Sequence, residues 1–308
     1  MLEVAALDAG SNAIRFVCLK VNEQGRQIDF FFKRYALRLG QEVFERGTIS
    51  KSSQQKLIRI FTEIKKRLEK RGIRHFKAVA TAAFRQAKNK KSIIQKIMNH
   101  TGIRLTVISG KHEAQLSKWA LRRAVANGFT DALYLDLGGG SLEIGKLSQQ
   151  KGHSLPLGTL RVLQHFPQLN DSLYQDDITR IMKKLALKLQ AKHILRFRAQ
   201  HAICTGGNFD AIVKIIPGTG FDYESILANK LPALLKKMAT MTVKKRQVYF
   251  NLRPDRADSI LPAIIVLLTI ARLTGVHHFI VPKTGLREAL LWQLIEKHST
   301  IRTNTLAV

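Results

Sequence analysis

Two short segments of this 308-residue chain place an aspartate just before a turn that is rich in glycine and serine. The first segment begins at Asp8 and the second, far downstream, begins at Asp136. Glycine lets backbone N–H groups approach an anion closely, and a serine hydroxyl adds one more donor. Both turns are therefore candidate phosphate-binding loops. Their candidate phosphate ligands are Gly10, Ser11, Asn12, Gly138, Gly139, Gly140 and Ser141.

The carboxylates beside these turns indicate a cation. An aspartate next to a bound phosphate is repelled unless a positive ion lies between them, so Asp8 and Asp136 predict Mg²⁺ or another divalent cation held through water. Glu143 stands two residues after Ser141, and alternate residues of a strand point to the same side. Glu143 is therefore the third candidate oxygen ligand. Two ordinary β-turns are the alternative explanation of these segments.

Each turn lies between two apolar runs that predict strands. The first turn separates Val4–Leu7 from Ile14–Val21, and the second separates Ala132–Leu135 from Leu142–Leu147. Two strands joined by a tight turn form a hairpin. Because the same pattern, with an aspartate at the end of its first strand, occurs twice, the sequence predicts a duplicated fold.

Apolar residues at helical spacing and glycine stops predict the elements around the turns. One helix begins after Ser52 or Ser53, presents Leu57, Ile60, Phe61, Ile64 and Leu68 on one face, and ends at Gly72. The other predicted elements are helices at Ser92–His100, Asp177 to about Arg198 and Gly285 to about His298, and strands at His75–Ala80 and Leu105–Ile108. This mixture predicts an α/β protein with two similar halves.

The chain is strongly basic, with 51 Lys and Arg against 22 Asp and Glu and a net charge of +29. The densest stretch is Lys51 to His100, where 15 basic residues meet only Glu63 and Glu69. Such a one-sided charge favours binding of polyanions without regard to sequence. Nucleic acid, an anionic membrane surface, and a phosphate polymer or highly phosphorylated nucleotide all fit. A solvated lysine-rich surface without a partner is the alternative.

Other features disfavour several classes of protein. The basic residues show no zinc-finger spacing and few interleaved aromatic residues, which disfavours specific recognition of nucleic acid. The most apolar run, Ser259–Ala271, has 13 residues, against about 20 for a membrane span, so we expect a buried helix and no span. Glu3 and Asp8 argue against a signal peptide. Cys18 and Cys204 lack neighbours at ligand spacing and predict inert core thiols in a cytoplasmic protein.

Seven ordered segments resemble those of the exopolyphosphatase / guanosine pentaphosphate phosphohydrolase family. They are Leu7–Asn12, Ala80–Asn89, Ile108–Ala114, Asp136–Glu143, Ser154–Gly158, Cys204–Gly207 and Gly285–Leu291. Their order matches over nearly the whole chain, which makes the resemblance more specific than any single motif. The family belongs to the superfamily of actin-like proteins, sugar kinases and acetate kinases, which duplicate a phosphate-gripping domain.

The resemblance implies an α/β protein with a duplicated ribonuclease-H-like fold, the actin-like ATPase fold, and a cleft between two domains. We expect the first domain at residues 1–124 and the second at 125–287. A C-terminal helix at about 288–308 is expected to pack on the first domain. The chain resembles the short, two-domain form, because longer members of the family append a helical C-terminal region.

By the same resemblance, Glu113 is the general base that activates water for in-line attack on the terminal phosphorus. Arg85 neutralises charge on the transferred phosphoryl group, a task that suits a planar guanidinium. Gly206 and Gly207 add a further glycine loop to the phosphate site. Mg²⁺, or another divalent cation, is the implied cofactor at the three carboxylates named above.

Four positions depart from the family pattern. Ala13 and Leu142 replace hydroxyl residues, Asn208 replaces a threonine, and His112 replaces a carboxylate beside the proposed base. Glu113 itself is unchanged. The sequence therefore predicts an active enzyme whose rate or substrate preference is altered.

The resemblance implies Mg²⁺-dependent release of terminal orthophosphate from inorganic polyphosphate. The alternative reaction is hydrolysis of the 5′ γ-phosphate of guanosine pentaphosphate. The alternative class, suggested by Ala13 and His112, is a non-catalytic regulator that binds polyphosphate or an alarmone; no motif favours a kinase. Polyphosphate is preferred because a polymer would use basic side chains beyond the active site, whereas a nucleotide would not. A homodimer is expected because two-fold dimers are the commonest oligomers.

Overall fold

The computed structural model describes residues 1–125, 127–150, 152–171, 175–191, 197–218 and 220–298. The chain divides into two compact units. Unit 1 is residues 1–124 together with the segment from Thr284 onward, and unit 2 is Val125–Lys283. The part of the predicted C-terminal helix beyond residue 298 lies outside the described residues.

Unit 1 is built on a five-stranded sheet. Its strands are β1 (Leu2–Ala9), β2 (Ile14–Val21), β3 (Gln27–Tyr35), β4 (His75–Ala80) and β5 (Leu105–Val107). Its first helices are α1 (Leu39–Arg46), α2 (Lys51–Lys70), α3 (Ala82–Gln86), α4 (Lys90–Thr101) and α5 (Gly110–Ala124). The strands lie in the order β3-β2-β1-β4-β5, so β1 is the centre of the sheet.

Strand β1 is buried on both faces. Leu7 and Ala9 pack in the core that contains α2 and α4, whereas Val4 and Ala6 pack in a second core on the other face. This alternation follows from the two-residue period of a strand. Strands β1, β4 and β5 are parallel neighbours, so their carboxyl ends lie on one edge of the sheet.

Helix α2 begins earlier than its apolar pattern indicates. Its N-cap is Ser50, whose hydroxyl accepts a hydrogen bond from the Ser53 backbone N–H at 3.2 Å. The predicted start after Ser52 or Ser53 is therefore wrong, because the first turn is polar and carries no apolar period. Gly72 follows the helix with a φ of 64°, as expected of a glycine stop.

Unit 2 is built on a six-stranded sheet. Its strands are β6 (Leu133–Leu137), β7 (Leu142–Lys146), β8 (His153–Leu155), β9 (His201–Thr205), β10 (Glu224–Leu227) and β11 (His278–Val281). Its helices are α6 (Thr159–His165), α7 (Gln175–Gln190), α8 (Gly207–Ile215), α9 (Leu231–Ala239), α10 (Val243–Tyr249), α11 (Pro254–Ala257) and α12 (Ile260–Thr274).

The two sheets share one plan. The unit 2 order, β8-β7-β6-β9-β11-β10, repeats the unit 1 order and adds β10 at one edge. In each sheet three antiparallel strands are followed by parallel crossovers, β1 to β4 to β5 and β6 to β9 to β11. The predicted duplication of an α/β unit is confirmed by this topology.

The chain returns to unit 1 with its last described helix, α13 (Leu286–His298). Leu290, Leu291 and Ile295 on this helix pack in the same core as Val4 and Ala6 of β1. Helices consequently cover both faces of the unit 1 sheet, which is the usual arrangement around parallel strands.

Helix α7 ends sooner than predicted. It stops at Gln190, whereas its apolar period predicts continuation to about Arg198. Phe197 and Arg198 are not helical, and residues 192–196 lie outside the described residues. Arg198 instead donates a hydrogen bond to the Leu273 carbonyl near the end of α12, a tertiary contact that the local pattern does not encode.

The most apolar segment of the chain is the central helix of unit 2. Among the described residues, Pro254–Thr274 is the one helical segment that is long and apolar enough to cross a membrane, and 78 % of its most apolar 18 residues are buried in the protein. The run of 13 apolar residues in the sequence therefore underestimates the length of this helical segment, which has 21 residues. Its burial confirms the predicted core helix.

Candidate active site

The first glycine turn, residues 10–13, closes at the carboxyl end of β1. The Gly10 N–H donates to the Ala13 carbonyl at 3.1 Å, and the Ser11 carbonyl accepts from the Gly40 N–H at 2.8 Å. The Ser11 hydroxyl is buried and has no hydrogen-bond partner among the described residues. Burying an unpaired hydroxyl is unfavourable, so the Ser11 O–H group is suited to donate a hydrogen bond to a bound anion.

Asp8 is compensated by a cation on the neighbouring strand. It lies opposite Arg15 in the β1–β2 ladder, and Arg15 Nη1 donates to Asp8 Oδ2 at 2.9 Å. Asp8 Oδ1 is buried, and no hydrogen-bond partner for it lies in the part of the chain that the structure describes. The carboxylate therefore keeps one oxygen available, although its charge is already neutralised.

Arg85 and Glu113 form a partly buried ion pair at the same edge of the sheet. Arg85 lies on α3, which follows β4, and Glu113 lies in the first turn of α5, which follows β5. Arg85 Nη1 donates to Glu113 Oε2 at 2.5 Å and to the Ile108 carbonyl at 3.2 Å. The Glu113 side chain is only 10 % exposed. The two residues that the resemblance assigns to catalysis are thus in direct contact.

The start of α5 fixes the position of Glu113. Its backbone N–H donates to the Ser109 carbonyl at 2.9 Å, and the Ser109 hydroxyl accepts from the His112 N–H at 3.1 Å. An acidic residue in a first turn is stabilised by the positive end of the helix dipole. His112 is exposed, so the departure from the family pattern at this position lies on the solvent side of the helix.

The second glycine turn, residues 138–141, closes at the end of β6. The Gly138 N–H donates to the Ser141 carbonyl at 3.0 Å, and the start of α6 holds the Gly138 and Gly139 carbonyls. A Cβ on Gly158 would lie 2.3 Å from backbone atoms of Gly139 and Gly140. Only glycine fits there, so the turn rests directly on the backbone that precedes α6.

The third glycine loop joins the second within unit 2. Gly206 has a φ of 122°, and a Cβ there would lie 2.5 Å from the Leu137 carbonyl oxygen. Its neighbour Gly207 begins α8 and lies against buried Arg256, since an added Cβ would be 2.5 Å from Arg256 Nη2. The predicted loops therefore share one edge of the unit 2 sheet with a guanidinium.

Asp136 and Glu143 are cross-strand partners in the β6–β7 ladder. Glu143 is buried, and the Ser154 hydroxyl donates to its Oε1 at 2.7 Å. Burial, and then the charges of Glu143 and Asp136, raise the pKa of nearby Tyr134, which shows a local negative field. Two carboxylates facing each other carry the oxygen donors that Mg²⁺ prefers, so this pair fits the implied ion.

The ion would keep much of its hydration at this pair. Across the described ranges, no group of three or more His, Cys, Asp or Glu side chains is close enough to form a metal cluster. Mg²⁺ commonly binds through one or two carboxylates and retains several waters, which agrees with the predicted water-mediated contact. Asp8 belongs to unit 1 and is paired with Arg15.

The structure groups the predicted residues into one set in each unit, and it adds side chains that the sequence reasoning missed. The missed residues are Arg15 on Asp8, Ser154 on Glu143, Arg161 on the Gly140 carbonyl and Arg256 beside Gly207. Hairpin pairing across the first turn would have found Arg15. No local signal marks Arg256, because only tertiary packing brings it to Gly207.

Comparison with known proteins adds independent findings. A model of the Ppx/GppA phosphatase family matches residues 21–298. The chain is 24 % identical over 310 residues to exopolyphosphatase 1 of Mycobacterium tuberculosis, covering 97 % of this chain and 90 % of that protein. It is 26 % identical over 315 residues to guanosine-5′-triphosphate,3′-diphosphate pyrophosphatase of Vibrio vulnificus, covering 98 % of this chain and 61 % of that one.

The fold is also found among solved structures. The crystal structure of an exopolyphosphatase from Cytophaga hutchinsonii matches with a TM-score of 0.85 at 21 % identity, covering 98 % of this chain and 99 % of that one. With the topology above, this match confirms the predicted fold class, an α/β protein of the actin-like ATPase type.

Proposed function

Since the chain belongs to the Ppx/GppA phosphatase family, we propose that it hydrolyses the terminal phosphoanhydride of inorganic polyphosphate and releases orthophosphate. The observation that carries this proposal is the partly buried hydrogen bond of 2.5 Å between Arg85 and Glu113, at the sheet edge where the Ser11 turn also lies. A general base and a phosphoryl-binding cation held together at one sheet edge are the side chains that such a hydrolysis needs.

Arg85 has donors left for a phosphoryl group. Within the described residues both of its side-chain hydrogen bonds are made by Nη1, to Glu113 and to the Ile108 carbonyl. A guanidinium carries five N–H donors, so Nε and Nη2 retain theirs for an anion. We expect Arg85 to be shared between the carboxylate and the phosphoryl oxygens when substrate binds.

Glu113 takes the proton of the attacking water. As the water oxygen bonds to the terminal phosphorus, the bond from phosphorus to the bridging oxygen breaks and the shortened chain leaves with that oxygen. Little covalent chemistry is left to the protein, so positioning and charge stabilisation account for most of the rate enhancement. The Ser11 hydroxyl and the backbone N–H groups of the glycine turns would hold phosphate oxygens.

Mg²⁺, or another divalent cation, is the proposed cofactor. Asp136 and Glu143 would hold it through water, with Asp8 as the third predicted carboxylate. When bound, the ion supplies positive charge that offsets the negative charge of the phosphate oxygens.

The distribution of charge supports a polymer as substrate. The stretch from Lys70 to His112 contains no aspartate or glutamate, and it carries Lys88, Lys90 and Lys91 close to Arg85 in the chain. A phosphate chain would use such cations beyond the reacting bond, whereas a single nucleotide would engage few of them. We therefore prefer polyphosphate to a nucleotide as the proposed substrate.

Guanosine pentaphosphate is the second candidate substrate, and the Vibrio vulnificus relative supports it. The salt dependence of hydrolysis distinguishes the two candidate substrates. If lysines and arginines bind the polymer, hydrolysis of long chains should fall steeply as salt rises, while hydrolysis of very short chains and of the nucleotide changes less. An equal salt dependence for all substrates would contradict the polymer assignment.

Orthophosphate release from polyphosphate with Mg²⁺ tests the activity. We expect native protein to release orthophosphate and Glu113→Gln to be slower by about 10³-fold, within the range for loss of a general base. Glu69→Gln is the matched control, because it removes the same charge from an exposed site on α2 and should keep the native rate. Native release no faster than that of Glu113→Gln would overturn the proposal and leave a phosphate-binding regulator.

A further inference from the structure

Helices α9 and α10 of unit 2 lie in a segment of the sequence that has basic residues and no acidic ones. Residues 225–254 contain no aspartate or glutamate. Their basic residues are Lys230, Lys236, Lys237, Lys244, Lys245, Arg246 and Arg253. Five of these lysines are exposed, and four of the five lie on the two helices, at positions 236, 237, 244 and 245. We call these four lysines, together with Val248 and Tyr249, the α9–α10 surface.

Two apolar side chains stand out of this basic surface. Val248 is 69 % exposed and Tyr249 is 57 % exposed. A single exposed apolar residue is ordinary in a soluble protein. Two in succession among exposed lysines are typical of a site that inserts apolar tips into a lipid interface while its cations meet the headgroups.

Buried contacts hold the surface in place. Arg246 is fully buried between the helices and donates to the Met238 carbonyl of α9 at 3.0 Å and to the Leu169 carbonyl at 2.8 Å. Thr242 caps α10 by accepting from the Lys245 N–H at 3.3 Å. The exposed end of α10 is consequently fixed against α9.

The Tyr249 ring distinguishes between kinds of polyanion. Lys237 Nζ lies 4.4 Å from the ring centroid and donates to the Tyr249 hydroxyl at 2.7 Å, and Phe250 packs edge-on at 4.8 Å. A nucleic-acid base needs an open aromatic face on which to stack, and Lys237 covers one face here. A phosphate polymer offers no apolar surface for the exposed Val248 side chain to contact. An anionic bilayer uses both the lysines and the apolar tips.

We propose that the α9–α10 surface binds the face of a bilayer that contains anionic phospholipid. The binding is peripheral: the lysines meet phosphate and carboxylate headgroups, and the Val248 and Tyr249 side chains enter the boundary between headgroups and acyl chains. This site is separate from the residues assigned to hydrolysis, so it stands or falls independently of the proposed activity.

Flotation with vesicles tests the site. The native chain is mixed with vesicles of phosphatidylcholine alone, or with about 30 % phosphatidylserine, and we expect binding to the second only. Lys244→Gln/Lys245→Gln should weaken this binding about thirtyfold, at the usual contribution of a lysine near an anionic membrane. Val248→Ser/Tyr249→Ser, which keeps every charge, should weaken it about tenfold.

Lys66→Gln/Lys70→Gln is the matched control, because it removes two exposed lysines from α2 in unit 1 and should change binding by less than about twofold. Unchanged circular dichroism and an unchanged urea unfolding midpoint would show that all variants are folded. The proposal is overturned if the control weakens binding as much as the α10 variants do, or if the serine variant binds like the native chain. It is also overturned if the α10 variants weaken binding of a single-stranded oligonucleotide and leave binding of the vesicles unchanged.

Discussion

The two hairpins that begin the two sheets differ at one matched position. In each ladder the pair before the turn is apolar, Ala9 with Ile14 and Leu137 with Leu142. One step further from the turn, Asp8 faces Arg15 in unit 1, whereas Asp136 faces Glu143 in unit 2.

This difference gives the two hairpins opposite charge pairing. Unit 1 pairs opposite charges, Asp8 with Arg15 and Glu113 with Arg85, so its carboxylates are neutralised by its own side chains. Unit 2 sets two carboxylates face to face, which favours an added cation. The two units share a backbone plan and differ in charge at this ladder position, so we propose that hydrolysis uses the ion pair of unit 1 and that Mg²⁺ binds at the carboxylate pair of unit 2.

The largest effect in this comparison is expected at Glu143. Glu143→Gln removes one of the two facing carboxylates, so the Mg²⁺ concentration for half-maximal orthophosphate release should rise about 10- to 100-fold. A titration of the rate with Mg²⁺ measures this. Glu224→Gln, on β10 of the same unit, is the control with the same charge change. An unchanged Mg²⁺ requirement in Glu143→Gln would place the ion elsewhere.

A smaller effect is expected from the matched position in unit 1. Arg15→Gln leaves Asp8, whose side chain is 7 % exposed, buried without its cation, and it should lower the free energy of unfolding by about 2 kcal/mol. Urea unfolding measures the change. The double variant Asp8→Asn/Arg15→Gln should recover most of the loss. If the single variant is as stable as the native chain, Arg15 does not compensate Asp8.

The smallest effect concerns the two thiols, one in each unit. Burial raises the pKa of Cys18 to about 12 and raises the pKa of Cys204 well above its ordinary value, so both should resist alkylation in the native protein. In Arg15→Gln, local opening of unit 1 should speed labelling of Cys18 about thirtyfold and leave Cys204 unchanged. Mass spectrometry of pulse-labelled peptides reads each site separately. Equal acceleration at both would show that the units unfold together.

Much of this arrangement could be predicted from the sequence, and the limits have physical causes. The strand period and glycine turns predicted both hairpins, since these signals are local. The predicted end of α7 and the predicted start of α2 were wrong. Arg198 makes a tertiary contact that the helical period does not encode, and α2 begins with a polar capping turn that carries no apolar period. The contact of Arg85 with Glu113 spans separate elements, and family resemblance, not spacing, indicated both residues.

The same limit applies to the charges. Asp8 and Asp136 look equivalent in the sequence, since each precedes a glycine turn. The partner across the ladder makes them different, and that partner is visible only once the register is known. The sequence therefore predicts both aspartates as metal ligands alike, whereas the structure places a cation, Arg15, opposite Asp8 and a carboxylate, Glu143, opposite Asp136.

The central claim is that Glu113 and Arg85 act as one catalytic unit, and a double-mutant cycle on turnover tests it most directly. Orthophosphate release from polyphosphate is measured for Glu113→Gln, Arg85→Ala and the double variant at saturating substrate and Mg²⁺. We expect each single variant to lose about 10³-fold and the double variant to be no slower than the slower single one, because groups that act together are not additive. Losses that multiply, or a single variant that keeps more than about a tenth of the native rate, would contradict the account.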